Sequence, residues 1–241
     1  MNFKKIKLID KKNMTKSVIY RLYAFIITFV VSFVVTGNIE LSATIGVVEN
    51  TFKILTYYWF DIFWDKFTKT KYRTSLLWMT GLSGSGKTTI AKALIEKLQS
   101  EGHSAMILDG DEIRDIFKNN GFSRESRVRH GQDVGKMAVY LQSQGIIPII
   151  SLISPYAETR DYVRAISKDF TEIYISTPLS VCEQRDVKGL YKKARNGEIK
   201  DFTGIHDSAP YEAPKSPELN IDTQNSSIND CVNQILKHIR K

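Results

Sequence analysis

Cysteine is nearly missing from this 241-residue chain, and the two present, Cys182 and Cys231, are too far apart for a metal knuckle or a disulfide framework. Both fall in helix-like stretches among apolar residues, where a thiol acts as a small inert hydrophobe, and a reducing cytosolic location fits. Proline is sparse at six, and no segment is low in complexity, which excludes proline-rich, collagenous and disordered classes. From residue 74 onward the chain has almost no net charge, with 22 Lys and Arg against 21 Asp and Glu. That half also lacks a basic stripe interleaved with aromatics, so nucleic acid is not the expected partner. The excess behind the formal net charge of +8 sits in residues 1–73, where 12 Lys and Arg face 5 Asp and Glu. A membrane surface accounts for it better than DNA does.

Long uncharged runs are confined to the same N-terminal segment. Val18 to Val35 reads VIYRLYAFIITFVVSFVV, with Arg21 as its one charge. About 20 apolar residues cross a bilayer core, so this run is of spanning length. It is too long for the core of a secretory signal, and no small-residue cleavage site follows. Thr36-Gly37-Asn38 breaks the helical pattern, and a second apolar stretch runs from Leu41 to Trp64. That stretch carries Glu49, Lys53 and Asp61, and the first two are spaced to pair on one helix face. Tyr57, Tyr58, Trp59, Phe60, Phe63 and Trp64 crowd its end, as at a headgroup boundary. Lys4, Lys5, Lys7, Lys11, Lys12 and Lys16 precede the pair, and Lys66, Lys69, Lys71 and Arg73 follow it. The positive-inside rule then predicts a two-helix transmembrane hairpin with both ends in the cytoplasm. A soluble helical pair with an apolar face is the competing reading. The stretch TGNIELSATIGVVENTFKILTYYWFDIFWDKF also resembles a small bacterial family of two-helix membrane proteins, over most of residues 15–67. That resemblance implies membrane placement and no chemistry.

At Ser75 the pattern changes. The short apolar strand SLLWMT runs into Gly81-Leu82-Ser83-Gly84-Ser85-Gly86-Lys87-Thr88-Thr89, which fits the phosphate-binding loop G-x-x-x-x-G-K-[ST]. Glycines let backbone N–H groups turn inward around phosphate oxygens, and the following helix aims its positive end at them. Lys87 is placed to reach the outer phosphates and the Thr88 hydroxyl to ligate Mg²⁺. The helix is signalled by Ile90, Ala91, Leu94, Ile95 and Leu98. Strands are expected at Ala105–Leu108, Ile146–Ile153 (Pro148 near its start), Glu172–Ser176 and Leu219–Ile221. Helices are expected over Ser126–Gln144, Tyr162–Ser167, Leu179–Asp186 and Ile228–Ile239. Such alternation predicts an α/β fold with a parallel sheet covered by helices on both faces and ligands at the strands' C-terminal ends. The expected domains are 1–73, a membrane-anchoring hairpin, and 74–241, a P-loop kinase.

The strand ends carry the polar residues. After Leu108 comes Asp109-Gly110-Asp111, whose carboxylates either serve Mg²⁺ and the attacking hydroxyl or cap a helix. After Ile153 comes Ser154-Pro155-Tyr156, with the same two readings for Ser154. The segment KGLYKKARNGEIKDFTG combines Lys188, Lys192, Lys193, Arg195 and Lys200 with glycines 189, 197 and 204. It reads as a cationic hinged lid over polyphosphate, or as a solvated charged helix.

These motifs, with Gly121-Phe122-Ser123, ISPY, TPLSVCEQRDVKGLYKKARNGEIKDFTGI, PYEAP and PEL, are similar in order to the adenylylsulfate kinases over residues 76–223. The resemblance implies an ATP- and Mg²⁺-dependent transfer of a phosphoryl group to the 3′-hydroxyl of adenosine 5′-phosphosulfate. It implies catalytic roles for Lys87, Asp111 and Ser154, metal ligation by Thr88 and Asp111, and ATP contacts from residues 81–89 and Arg195. It places Asp109, Asp111, Arg114, Phe122, Arg127, Ser154, Lys188, Gly189, Leu190, Phe202 and Thr203 at the acceptor. Ser154 matches a serine linked in the family to a phospho-enzyme, although direct in-line transfer needs no covalent relay. The partners expected are a small nucleotide, the membrane and a second copy in a homodimer.

The sequence departs from the family pattern in three places. Glu112 stands where the family has Asn after DGD, His130-Gly131-Gln132-Asp133 stands for Asn-Ile-Arg-Arg, and Ala157 replaces the Arg after SPY. A guanidinium fork is not replaced by Gln, Asp or Ala. Arg127, Arg129 and Arg160 are the nearest candidates to compensate. The competing functions are a same-fold kinase with another nucleotide acceptor, for example in surface-polysaccharide modification, and a membrane-bound nucleotide-binding module without turnover.

Overall fold

The computed structural model describes residues 11–68, 71–116 and 121–241 and divides into two compact units, Met1–Lys69 and Thr70–Lys241. In the first unit, helix α1 (Lys11–Thr36) and helix α2 (Ile39–Thr68) pack as a hairpin. The expected break is present. Gly37 adopts φ +64°, and Asn38 Oδ1 accepts from Leu41 N at 3.1 Å, which caps the start of α2. Lys53 and Glu49 form the expected ion pair. Many large apolar side chains stay exposed, among them Val30, Val34, Val35, Val47, Val48 and Phe52. The expectation of a spanning hairpin is not confirmed at this level. Among the described residues, no helix is long and apolar enough to cross a membrane. The run that prompted the expectation begins at Val18, and α2 is interrupted by Glu49 and Lys53. Lys4, Lys5, Lys7 and Lys69 lie outside the described residues, as do the side chains of Lys11, Lys12, Lys16, Arg21, Tyr57, Tyr58, Phe60, Asp61, Phe63, Trp64 and Lys66.

The second unit is an α/β sandwich. Strands β1 (Leu76–Thr80), β2 (Ala105–Asp109), β3 (Ile147–Ser151), β4 (Phe170–Ile175) and β5 (Leu219–Ile221) form one parallel sheet in the order β2-β3-β1-β4-β5. Each expected strand is present, and Pro148 is the second residue of β3. Period-two alternation splits β1 between two cores. Leu77 and Met79 pack with α3 (Lys87–Ser100) and α9 (Ile228–Ile239), through Ile90, Leu94, Ile235 and Ile239. Leu76 and Trp78 pack on the other face with α5 (Arg124–Ser143) and α6 (Ala157–Ile166), through Val134, Ala138 and Val163. Close approach of α5 and α6 requires glycine. A Cβ on Gly135 would lie 2.3 Å from Val163 Cγ2, and one on Gly131 would lie 2.4 Å from Thr159 Cγ2.

The remaining helices are short. Besides α7 (Leu179–Arg185), α4 (Gly110–Ile116) was not expected from the pattern, and α8 (Leu190–Arg195) falls in the segment read either as a lid or as a charged helix. The first and last residues of this second unit clasp each other. Tyr72 bridges Arg240 in antiparallel fashion, Arg73 N donates to Ile239 O at 2.7 Å, and Lys241 N donates to Lys71 O at 2.8 Å. Arg73 adds an ion pair to Asp169 at 3.1 Å.

Candidate functional site

A cavity of about 810 Å³ opens at the C-terminal ends of β1, β2 and β3 and reaches Thr223 after β5, where an open parallel sheet places its ligands. Its floor is the loop between β1 and α3. Gly81 must lack a side chain, because a Cβ there would sit 2.7 Å from Ile175 O, and Gly86 needs its φ of +104° to turn into α3. Lys87 is buried, and its Nζ donates to Gly81 O at 2.9 Å and Leu82 O at 2.8 Å. Burial pulls its pKa down to about 8, with the Lys188 cation adding to the fall and Cys182, Asp109 and Asp111 opposing it. Thr88 Oγ1 donates to Asp109 Oδ2 at 2.9 Å and lies 3.0 Å from Ser151 Oγ. A hydroxyl beside a carboxylate is a hard oxygen set of the kind Mg²⁺ takes together with phosphate oxygens. The carboxylate against Thr88 is thus Asp109. Asp111, in the first turn of α4, instead pairs with Lys188 across the cavity.

The opposite wall is cationic and aromatic. The Arg114 guanidinium stacks over the Phe122 ring at 4.7 Å, and its Nη1 donates to Gly121 O at 2.8 Å. Arg127 Nε donates to Phe122 O at 2.7 Å, and its other nitrogens reach Asp201 O and Thr203 Oγ1. Burial lowers the pKa of both arginines, and at Arg114 the neighbouring Arg127 cation adds to the fall. Two partly desolvated guanidiniums facing one space favour an anion. Ser154 holds a left-handed φ of +43°, and its buried Oγ has no hydrogen-bond partner. Its carbonyl accepts from Arg160 Nη1 at 2.7 Å.

The lysine-rich segment forms the rim as α8 and its flanks. Asp186 accepts from Tyr191 N and Lys192 N, each at 3.0 Å, which caps α8. Gly189, at φ +65°, precedes that helix. The Tyr191 hydroxyl donates to Ser83 O at 2.9 Å, and its ring meets Phe202 edge-on at 5.1 Å, so the rim rests on the phosphate loop. Both readings of this segment are partly met, since it is a short charged helix resting over the cavity.

Most of the expected residues come together here. Ser83, Gly84, Gly86, Lys87, Thr88, Thr89, Asp109, Asp111, Arg114, Phe122, Arg127, Ser154, Lys188, Leu190, Phe202 and Thr203 all line the cavity. Gly81, Leu82, Ser85 and Gly189 are not among the lining residues. Arg195 is directed elsewhere, paired with Glu183 at 2.6 Å. Of the three arginines considered as replacements, only Arg127 lines the cavity. Arg160 is buried against Glu172, Ser154 O and Glu212 O, and Arg129 borders a shallow groove with Gln132 and Glu158. The departures from the family pattern are likewise mostly off the site. Asp133 pairs with Lys136 at 3.1 Å, Ala157 N donates to Glu212 Oε2, and Glu112 is exposed. His130 and Gly131 are the departures that line the cavity. Sequence reasoning missed His130, Arg185, Thr223 and Ile228. Arg185 donates to Thr223 Oγ1 at 2.9 Å, and Thr223 follows β5, so a strand-end search extended to β5 finds it.

The comparisons agree with this geometry. Residues 73–222 match the family described as Adenylylsulphate kinase, and residues 14–65 match one described as Predicted membrane protein (DUF2061). A probable adenylyl-sulfate kinase of Bacillus subtilis is 46% identical over 176 residues, 72% of this chain and 88% of that protein. An APS kinase from Mycobacterium tuberculosis, solved in complex with AMPPNP and APS, aligns at 39% identity with a TM-score of 0.66. The alignment covers 70% of this chain and 98% of that one. A hexameric APS kinase from Thiobacillus denitrificans aligns at 30% identity with a TM-score of 0.51, over 69% of this chain and 29% of that one.

Proposed function

The chain belongs to the adenylylsulphate kinase family, and from that premise we propose that its cavity carries out ATP-dependent phosphorylation of adenosine 5′-phosphosulfate (APS), as in sulfate assimilation. The acceptor 3′-oxygen forms a bond to the γ-phosphorus, the bond from that phosphorus to the β–γ bridging oxygen breaks, and the hydroxyl proton leaves. The products are ADP and 3′-phosphoadenosine 5′-phosphosulfate. The carrying observation is that a phosphate loop with Lys87 and a wall holding Arg114, Arg127 and Phe122 face one cavity.

In this reading residues 81–89 cradle the polyphosphate with backbone N–H groups, and Lys87 leaves its loop carbonyls for the outer phosphates. Thr88 and Asp109 are the residues that would hold Mg²⁺, with Asp111 adjoining, and the ion would supply charge neutralisation to the transferring group. Asp111 orients the acceptor hydroxyl, and Lys188, which pairs with it, brings the rim down over both nucleotides. Phe122 and Phe202 pack the acceptor base, while Arg114 and Arg127 hold its anionic end. Ser154 contacts the acceptor without becoming phosphorylated. The departures at Glu112, Gln132, Asp133 and Ala157 lie off the cavity, which favours this acceptor over another nucleotide. The test is ADP release coupled to product analysis over APS and cytidine- or adenosine-based alternatives. Preferred turnover of APS supports the assignment, and turnover of another nucleotide with none of APS refutes it.

The finer placement belongs to the same proposal. Residues 1–73 act as a membrane-anchoring hairpin and 74–241 as the kinase on its cytoplasmic face. The match of residues 14–65 to a predicted membrane protein and the exposed valines of α1 and α2 support this. Full-length protein should sediment with membranes, and recovery in the supernatant would refute the anchor. A homodimer is the assembly proposed, with an oligomeric relative as its support. A detergent-corrected mass of one chain would exclude it.

A further inference from the structure

The phosphate loop is held from outside the cavity by two hydroxyls with no part in the chemistry. Thr177 lies two residues past Ile175 of β4, and Thr223 lies two residues past its strand partner, Ile221 of β5. Their Oγ1 atoms are 2.6 Å apart and converge on one loop carbonyl, Ser85 O, at 3.0 Å from Thr177 and 2.9 Å from Thr223. Arg185 Nη1 donates to Thr223 Oγ1 at 2.9 Å, and its Nη2 donates to Thr223 O at 3.0 Å. A hydroxyl has one proton to give. The two threonines cannot each donate to the other, so at least one proton reaches Ser85 O in every arrangement. The guanidinium polarises that chain of donors and strengthens its last bond. Thr177 is 4% exposed, which keeps water from competing for its hydroxyl.

The peptide joining Ser85 to Gly86 is planar and trans, so its N–H points opposite to its C=O. Ser85 O faces the threonines, whereas Gly86 lines the cavity. Fixing the carbonyl therefore aims the Gly86 N–H into the space that polyphosphate would fill. Glycine at φ +104° has little conformational preference of its own, so the loop backbone alone does not hold this peptide. We propose that Thr177 and Thr223 are positioning residues for the donor nucleotide: together they lock the Ser85 carbonyl outward and keep the Gly86 N–H turned towards a polyphosphate oxygen. The inference rests on the reading that residues 81–89 cradle polyphosphate, and it is independent of which acceptor is used.

The test uses the detergent-solubilised full-length chain as wild type, T177V, T223V, T177V/T223V and T177S/T223S. Valine keeps the shape of threonine and removes its hydroxyl. Calorimetry measures the Kd for ADP, which brings phosphates to the loop, and for adenosine, which brings none. Either hydroxyl alone still reaches Ser85 O, so each single valine variant should weaken ADP by about twofold to threefold. The double valine variant should weaken it by about fivefold to thirtyfold, with adenosine within about twofold throughout. The double serine variant keeps both hydroxyls and should bind ADP within about twofold of wild type. An unchanged ADP Kd in T177V/T223V, or an equal loss of ADP and adenosine that serine does not restore, would show that the threonines only pack the strand ends and would overturn the inference. If the double valine variant does not melt cooperatively, the single variants decide, and an unchanged ratio of the two Kd values in both overturns it. Absence of ADP binding in wild type would instead refute the parent reading of the loop.

Discussion

Arg160 is where a single substitution should do the most damage without touching a nucleotide. It is 3% exposed and joins three segments: Ser154 O after β3 at 2.7 Å, Glu212 O in the loop before β5 at 2.6 Å, and Glu172 of β4. Its Nε lies 2.8 Å from Glu172 Oε1, an ionic contact without hydrogen-bond alignment. In Arg160→Met the aliphatic stem is largely kept, so the loss is electrostatic. Ser154 O keeps a weak bond from Thr80 at 3.3 Å, whereas Glu212 O loses a charged donor. Glu172 keeps Arg164 at 3.1 Å, which softens the exposure of its charge. Breaking a buried pair by removing one partner typically costs about 3–5 kcal/mol, and the remaining Arg164 argues for the lower end, about 3 kcal/mol. For a unit of this size that is roughly 6–12 °C in Tm. Differential scanning fluorimetry on the detergent-solubilised chain measures it. The double variant R160M/E172M should recover part of the loss, because the stranded charge is gone. Ser154 sits at φ +43° under the Arg160 clamp, so APS KM should rise as well. A Tm drop under about 2 °C in R160M, with no recovery in the pair, would refute the reasoning.

Three further outcomes are expected. Lys87→Ala should remove turnover while the melting transition persists, and activity near wild type would contradict its role on the transferring phosphate. With free-enzyme Lys87 near pKa 8, the cation that binds polyphosphate is present below that pH and lost above it. ATP phosphates are already ionised there, so the Kd for ATP should rise up to about tenfold per pH unit above about 8, and calorimetry should find proton uptake on binding. A Kd flat from pH 7 to 9.5 would be the contrary result. Gly135→Leu should prevent α5 from closing on α6, since even a Cβ lies 2.3 Å from Val163 Cγ2, and a loss of at least about 2 kcal/mol in urea unfolding is expected.

What the sequence made legible follows from the length of each pattern. Strands β1 and β3 are almost wholly apolar runs, and the long helices repeat their apolar positions over several turns. The α4 helix escapes because seven residues, four of them charged, hold too few turns for a period to register, and α8, with six, was legible only as a charged helix set against a lid. The phosphate loop was readable because its chemistry is local, with backbone amides, a lysine and a hydroxyl within one segment. Asp109 and Asp111 divide their duties through space, and only coordinates show that Thr88 meets the first while Lys188 meets the second. Arg160 looked like a candidate for the acceptor by proximity in sequence to ISPY, yet the same proximity lets it fold under Ser154 and bury. His130 was visible only as a departure from a pattern. Its buried ring nitrogens, which have no hydrogen-bond partner, are a property of packing that no spacing encodes.

The clasp at residues 71–73 and 239–241 also fixes where mechanical load enters the kinase unit. These segments lie at the end of β1 that precedes Leu76, while the phosphate loop begins after Thr80 at the other end. A five-residue strand spans about 16 Å, so the clasp and the phosphate loop lie at opposite ends of the central strand. A tug on the leading segment is taken first by Arg73, through Asp169 and the backbone at His238 and Ile239, and passes into the strand bases before reaching any glycine of the loop. An insertion between the leading segment and Lys71 would lengthen the leash and leave the clasp closed.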